Sequence, residues 1–542
     1  MRLAGDGEQF DRLLSAARAY WGRRPSRPGT CVVAEAMHQD IRVIVRNLLL
    51  ANAICDLTSA RLVVLTGADR EWSRTLWQEF DVERVRRLAE AFGAAEVVDV
   101  HDLADRRLAD EGDAPAEGIS PATLHAVERA TLVRLHRVPR LPATPDERHQ
   151  ARRARTRALS AVYERLFDEL SPTALITSQV GYDQWGLAVD TAVRTGVPVV
   201  RTRTGGSLRA CALFPGQGGG SFGEALTRRL AEHFDEYFWP HRDLIRPSAE
   251  LVAWRDKASL GRPRGRAEHL DSFELRTETE RRQIRGHGCD RFGIEPDRPI
   301  VTVFNEPISA GLGANREVFD DLAEWLEETA EFAAAEESVS WLFLDHPDQA
   351  RYDLTGHFES VAGRHAKRSH LTFLSSPELS KNMLWSLTDV GVTVRGEPAA
   401  ELPAFGVPVI QAGWSDWSGC GLSHVADSRA DYWRLLAAAI ARHGKGESIL
   451  GPEQRERARL WLWLERSGGD VSSPLLPHWE MGDGEEFLRA LTVGLRHVER
   501  DGDPLHCAVR RMWERRDPLL GRFDFRDHAG LAAALTASRS AS

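Results

Sequence analysis

Asp389-Val-Gly-Val-Thr-Val-Arg-Gly-Glu-Pro-Ala-Ala-Glu401, followed by Phe405-Gly-Val-Pro-Val-Ile-Gln-Ala-Gly413, decides how this chain is read. Val390 to Val394 is a short, mostly β-branched run and reads as a strand. It stops at Arg395-Gly396-Glu397. Pro398 then opens a short helix to Phe405, at the one helical position where a missing N–H costs nothing. Val407 to Gln411 is the next strand. Strand, helix and strand in such quick succession is the rhythm of a parallel sheet with crossover helices.

The same rhythm extends in both directions. Upstream lie strands at Ile300–Phe304, Trp341–Leu344 and Leu371–Leu374, with helices at Glu317–Ala335 and Leu379–Leu387. Downstream come helices at Ala430–Arg442 and Glu453–Leu464 and then a helical tail. The first half repeats the pattern. Strands are expected at Thr30–Glu35, Arg61–Gly67, Glu96–Val100, Ala174–Thr177 and Val197–Val200, and helices at Ile41–Leu57, Val82–Phe92 and Tyr182–Thr195. Near-continuous apolar runs such as Leu62-Val-Val-Leu65 mark strands buried on both faces. The expected organisation is an N-terminal Rossmann-like lobe over 1–255 with a helical insertion at about 101–160, a helical connector over 256–298, a C-terminal Rossmann-like lobe over 299–470, and a helical tail over 471–542.

A chain of 542 residues exceeds what one core usually serves, so at least two domains are expected. Net charge is −10, and Arg and Lys are interspersed with Asp and Glu, which argues against nucleic acid as a partner. The six cysteines show no CxxC pair or zinc spacing, so free thiols, a reducing cytoplasm and no metal are expected. The opening Met1–Glu8 has no apolar core of a signal peptide. No run reaches the roughly 20 apolar residues of a membrane helix, so any membrane association would be peripheral.

In an open parallel sheet, ligands bind outside the carboxyl ends of the strands. In the second lobe these ends are Asn305-Glu306, Asp345-His346, Arg395-Gly396-Glu397 and Ala412-Gly413-Trp414. In the first they are Glu35–Asp40, Gly67–Arg70, Ser178–Asp183 and Arg201–Ser207. Gly396 would let a phosphate approach the backbone, and the helix start would offer N–H donors. Arg395 could neutralise that phosphate and Glu401 could accept ribose hydroxyls. The plainer alternative is a turn that needs glycine, with Glu401 a solvated acid. The loop Gly413-Trp414-Ser-Asp-Trp-Ser418-Gly419-Cys-Gly421 combines hydroxyls and bare amides for phosphates with indoles for a base or sugar, or else is an ordered surface loop. His346 is either a ligand contact or a packed residue. His38 and Asp40 could act as general base toward an acceptor hydroxyl. Asp183 and Arg203 are further candidates on that face.

These motifs resemble GT-B glycosyltransferases of the capsule and surface-polysaccharide type. Trp341-x-x-x-x-His346-Pro347, the Arg395-Gly396…Glu401 segment and Gly406-Val-Pro-Val before Ala412-Gly413 carry the resemblance. It implies an α/β fold of two Rossmann-like lobes facing a cleft. It also implies a nucleotide-sugar donor on the second lobe, a glycan or small-molecule acceptor on the first, and no obligatory cofactor. On it, His346, Arg395, Gly396, Glu397, Glu401, Trp414, Ser418, Gly419 and Gly421 are donor-binding residues, and His38, Asp40 and Asp183 catalytic. Two positions depart from the family: Leu344 stands for its Lys and Glu397 for its Thr. The alternatives are a GT-B-like sugar-nucleotide epimerase, a CDP-alditol phosphotransferase, or a non-catalytic nucleotide-binding assembly partner.

Overall fold

The computed structural model describes residues 7–22, 29–38, 40–76, 81–203, 206–249, 278–310, 317–375, 379, 381–478, 481 and 483–540. The expected connector falls largely outside these residues; its described end is the helix Glu278–Phe292. The chain forms two compact units. One comprises 1–135, 142–229 and 467–531; the other comprises 136–141, 230–466 and 532–542.

The first unit is built on strands β1 (Cys31–Glu35), β2 (Arg61–Thr66), β3 (Ala94–Asp99), β4 (Ala174–Thr177), β5 (Val199–Arg203) and β6 (Arg209–Leu213). Their order is β3-β2-β1-β4-β5-β6. All pairs are parallel except β5 with β6. The helix Ile41–Thr58 follows β1, capped by the Asp40 side chain on the Arg42 N–H. It is apolar around most of its circumference and correspondingly buried. The segment read as a helical insertion is helical, as Val100–Asp110, Pro121–His136 and Glu147–Leu170.

Most of the tail, to residue 531, is part of this unit and not a separate module. Leu475, Leu491, Leu505, Val509 and Met512 share one core with Phe10, Ile44 and Leu88. The Asp470 carboxylate accepts the N–H groups of Ser207 and Leu208 at 2.7 and 3.0 Å. The free edge of β6 is covered by the tail, through Ala212 N–H to Pro518 O and Leu520 N–H to Ala210 O. An edge strand left open would be an aggregation template. β6 itself was not foreseen, because Arg209-Ala-Cys-Ala-Leu213 is short and has no β-branched residue.

The second unit contains β7 (Ile300–Phe304), β8 (Ser340–Leu344), β9 (Leu371–Leu374), β10 (Val390–Thr393), β11 (Val409–Gln411) and β12 (His424–Val425). The order is β12-β11-β10-β7-β8-β9, all parallel. Both units therefore have the 3-2-1-4-5-6 order of a Rossmann-like sheet, the pair of sheets expected of a GT-B chain. The strands alternate between two cores. Trp341 and Phe343 face one with Trp325 and Tyr432, while Leu342 and Leu344 face the other with Leu402 and Val409. At the amino ends, Asp389 accepts both Arg285 and the Ile300 N–H at 2.8 Å, tying β7 to β10. Among the described residues no helix is long and apolar enough to cross a membrane.

Gly391 on β10 lets the helix Pro398–Ala404 press against the sheet. A Cβ there would lie 2.9 Å from Leu402 Cδ1 and 3.0 Å from Val409 Cγ2. Gly391→Val is expected to destabilise the protein by about 1–3 kcal/mol through overpacking. Gly363→Ala, at an exposed helical site with open space around its Cβ, is the control and should be neutral or slightly stabilising. Calorimetric melting of both variants checks this; equal melting temperatures would mean the helix does not sit this close.

Candidate functional site

In the second unit the strand order reverses between β7 and β10, where connections leave in opposite directions and open a crevice. A cavity of about 570 Å³ lies at these strand ends. Its lining draws on the ends of β7, β8, β10 and β11 and includes Asn305, Glu306, His346, Arg395, Glu397 and Glu401. Parallel register does the assembling. Phe304 pairs with Leu344 and Val303 with Val392, so the residues that follow emerge side by side. The volume suits a sugar or a nucleoside.

The polar groups are already engaged with one another. Arg395 donates its backbone N–H and its Nε to Glu306, the latter at 3.3 Å, and its Nη1 to Glu317 at 3.2 Å. Among the described residues five carboxylates line the cavity, those of Glu306, Asp345, Glu397, Glu401 and Asp416, against one lining guanidinium, that of Arg395. The surroundings are therefore net negative. The Gly396 N–H donates to Thr393 Oγ1 at 3.2 Å, and the Ala399 N–H to Gly396 O at 3.0 Å. Amides expected to face a phosphate thus have protein partners. Gly396 is needed sterically, because a Cβ would sit 2.9 Å from Thr393 Oγ1.

Glu401 is 2% exposed and accepts Arg466 at 3.3 Å. It is a buried, paired acid and not a solvated one. His346 Nδ1 accepts the Asp348 N–H at 3.0 Å, so the neutral ring carries its proton on Nε2. Burial pushes this imidazole below its ordinary value, against the pull of Asp348 and Glu397. Of the tryptophan loop, Trp414 to Trp417 line the cavity, whereas Ser418, Gly419 and Gly421 do not. Ser418 Oγ accepts the Ser415 N–H at 2.8 Å and donates to Gln411 at 3.3 Å, bracing the loop on β11. Gly421 makes a left-handed turn at φ 73°.

Asn305 carries the least expected feature. It is 5% exposed, and its backbone N–H is fixed to Leu344 O at 3.0 Å. Neither Oδ1 nor Nδ2 of its side chain has a hydrogen-bond partner in the protein. A buried polar group left unpaired costs roughly 1–3 kcal/mol. The strand-end rule reaches Asn305, but nothing in the sequence says that its neighbours leave it unpaired.

In the first unit the reversal lies between β1 and β4. Glu35, 2% exposed, closes it by accepting the N–H groups of Met37, His38 and Ser178 and the Ser178 hydroxyl. Asp40 is a helix cap in an ion pair with Arg42. Burial alone would raise the Asp40 carboxyl, but Arg42 holds it below its ordinary value. His38 Nδ1 accepts the Asp40 N–H at 3.2 Å, so the lone pair of the neutral ring is already in use. Burial lowers the His38 imidazole against the pull of Glu35 and Asp40. A base at Nε2 requires the other tautomer and the loss of that bond. Arg203 ends β5 opposite Arg209.

Asp183 is 0% exposed and saturated. Its carboxylate accepts Arg152, Thr156, the Trp72 indole and the Gln184 N–H. Arg152, from the helix Glu147–Leu170, also grips Asp69 at 2.6 Å. Asp183 is therefore the anchor of a buried ion network. Tyr182, beside it, is held at φ 64°, a strained conformation for an aromatic residue. Among the described residues no group of three or more His, Cys, Asp or Glu could hold a metal ion.

No protein-family model and no curated protein matches the sequence. Solved structures match in outline. The UDP-GlcNAc 2-epimerase from Neisseria meningitidis bound to UDP-GlcNAc shares 10% identity over 80% of this chain and 98% of that one, with a TM-score of 0.24. A glycosyltransferase from Rickettsia africae shares 8% over 81% and 93%, with a TM-score of 0.31. The KpsC beta Kdo 2,4 transferase from Thermosulfurimonas dismutans shares 14% over 53% and 79%, with a TM-score of 0.29. Likenesses this loose carry no weight for function.

The buried network makes two predictions. Arg152→Met leaves Asp183 buried without a counter-charge and Asp69 with Arg155 alone, and should cost about 3–5 kcal/mol in urea unfolding. A loss under 1 kcal/mol would mean that the network is hydrated and unimportant to the fold. The second concerns pH. Burial alone would raise the Asp69 carboxyl, but Arg152, then His101, the Trp72 N–H and Arg155 hold it far below the carboxylate range. Its unfolded value is about 3.9, so its contribution is complete above roughly pH 5 and is lost as pH falls toward the folded value. Melting temperature should fall below pH 4 less steeply in Asp69→Asn than in the parent chain.

Proposed function

We propose that this chain is a nucleotide-sugar-utilising enzyme of the GT-B kind, with its donor site in the cavity between β7 and β10. The observation that carries this reading is the cavity itself. It lies at the topological switch point of a 3-2-1-4-5-6 sheet and is walled by four strand ends, with both indoles and hydrogen-bonding groups in its lining. Sugar transfer to a glycan or small-molecule acceptor, in surface-polysaccharide biosynthesis, is the reaction we favour, in the bacterial cytoplasm and without an obligatory cofactor. His346 offers an Nε2–H donor. Glu401 is the acceptor for ribose hydroxyls, which requires sharing it with Arg466. His38 and Asp40 of the first unit are the groups proposed to handle the acceptor proton, with His38 the better candidate because Asp40 is held by Arg42.

A second reading, nucleotide binding without turnover, is favoured by one specific observation: Arg395 is shared between Glu306 and Glu317. A diphosphate would have to draw it from both. Epimerisation of a sugar nucleotide, or alditol-phosphate transfer from a CDP-alditol, would use the same cavity and is separated from glycosyl transfer by its products.

Titration calorimetry with UDP, CDP, GDP, ADP, UMP and CMP tests the reading, followed by product analysis with the matching sugar nucleotides. At least one nucleotide should bind; silence across the panel sinks the proposal. Glu397→Thr removes a negative charge from the cavity and should tighten diphosphate binding by about three- to tenfold. His38→Ala should abolish turnover while leaving nucleotide affinity unchanged. Binding with no product in either protein would instead favour the non-catalytic reading.

A further inference from the structure

We propose that a nucleobase, and not the diphosphate, occupies the cavity beside Asn305, and that the Asn305 amide reads its hydrogen-bonding edge. The inference rests on the nucleotide-binding reading above and specifies how the ligand is oriented.

Asn305 is almost fully buried, yet both polar atoms of its side chain lack a protein partner while the residue lines the cavity. It cannot relax away. β7 precedes it, its N–H is bonded to Leu344 O, and Glu306 after it is held by Arg395. An asparagine amide presents a donor and an acceptor side by side. The complementary ligand group therefore carries one acceptor and one donor on the same edge. An ordinary secondary amide, such as an N-acyl substituent on a sugar, is trans, and its N–H and C=O point in opposite directions. A nucleobase ring holds the two together, and pairing an asparagine with such an edge is an established recognition geometry.

The rest of the lining agrees. Trp385, Trp414 and Trp417, with Pro307, Pro347 and Pro398, supply the flat apolar faces on which a base stacks. The features that would hold a diphosphate are taken. Among the described lining residues five carboxylates accompany one guanidinium, that guanidinium is shared by two of the unit's acids, and the Gly396 and Ala399 amides are bonded internally. Leu344 and Glu397 are part of the same wall. They suit an uncharged ring with exocyclic donors better than an anion.

Calorimetry on the full chain decides the matter, with uridine, cytidine, adenosine and guanosine, their 5′-diphosphates, inorganic pyrophosphate, and free glucose and N-acetylglucosamine as separate titrants. At least one nucleoside should bind within about tenfold of its diphosphate, and pyrophosphate and the free sugars should not bind. Asn305→Leu should weaken that nucleoside at least about tenfold, the scale of one lost hydrogen-bonded pair. It should not lower the melting temperature of the ligand-free protein, because no protein group loses a partner. Asn305→Asp keeps the volume and, once ionised, presents acceptors only, so its affinity should fall as pH is raised; it serves as the second variant. If a diphosphate binds but its nucleoside does not, and both variants bind it as the parent does, the orientation is overturned while nucleotide binding stands. Binding of a free sugar that Asn305→Leu abolishes overturns the base assignment. If no nucleotide binds at all, the underlying reading falls with it.

Discussion

Parallel strands that connect through helices can cover every gap of a sheet except one. Where the order of winding reverses, the chain leaves two neighbouring strands in opposite directions and no connection crosses between them. In this protein the reversal falls between β1 and β4 and again between β7 and β10. The two gaps are treated differently. Glu35 closes the first with a set of hydrogen bonds from both strand ends. The second stays open as a cavity, with Glu306 and Arg395 bonded across the strand ends.

Charge follows the same division. In the first unit, Arg152 sits between Asp69 and Asp183 at distances near 2.5 Å, and the group is wholly enclosed. Such a network fixes the positions of three strand ends at once, since Asp69 follows β2, His101 follows β3 and Asp183 follows β4. In the second unit, the acids outnumber the one guanidinium among them and several face the cavity. The two that are buried, Glu306 and Glu401, are each paired with an arginine, whereas Glu397 is exposed and Asp345 and Asp416 are half-buried. The first arrangement is enclosed, and the second lines a cavity.

The strands that carry apolar runs were legible from sequence because burial on both faces leaves a plain signature. β7, β8, β10 and β11 could be placed within a residue or two, and with them the strand-end positions that line the cavity. β6 and β12 were not, one lacking β-branched residues and the other only two residues long. Position was readable where pairing was not. Arg395 could be located at a strand end, but that Glu306 and Glu317 would both claim it depends on distances across the fold. Asp183 looked catalytic for want of knowing that Arg152, on a helix that read only as charged filler, would reach it. The same limit hid Asn305, whose interest lies in contacts that do not form. The tail helices could be seen as helices, yet nothing local says which core their apolar faces join.

That last point bears on how the chain comes into being. Leu475, Leu491, Leu505 and Met512 fill the same core as Phe10 and Ile44, and residues 518–520 cover the β6 edge. The unit that begins the chain is thus finished by segments more than 460 residues later. During synthesis its first strands must wait with apolar faces uncovered, while the second unit's sheet, drawn from 300–425, can form as soon as it emerges. The order of folding would then run against the order of the sequence. The early-made half would be the part that a chaperone has longest to guard.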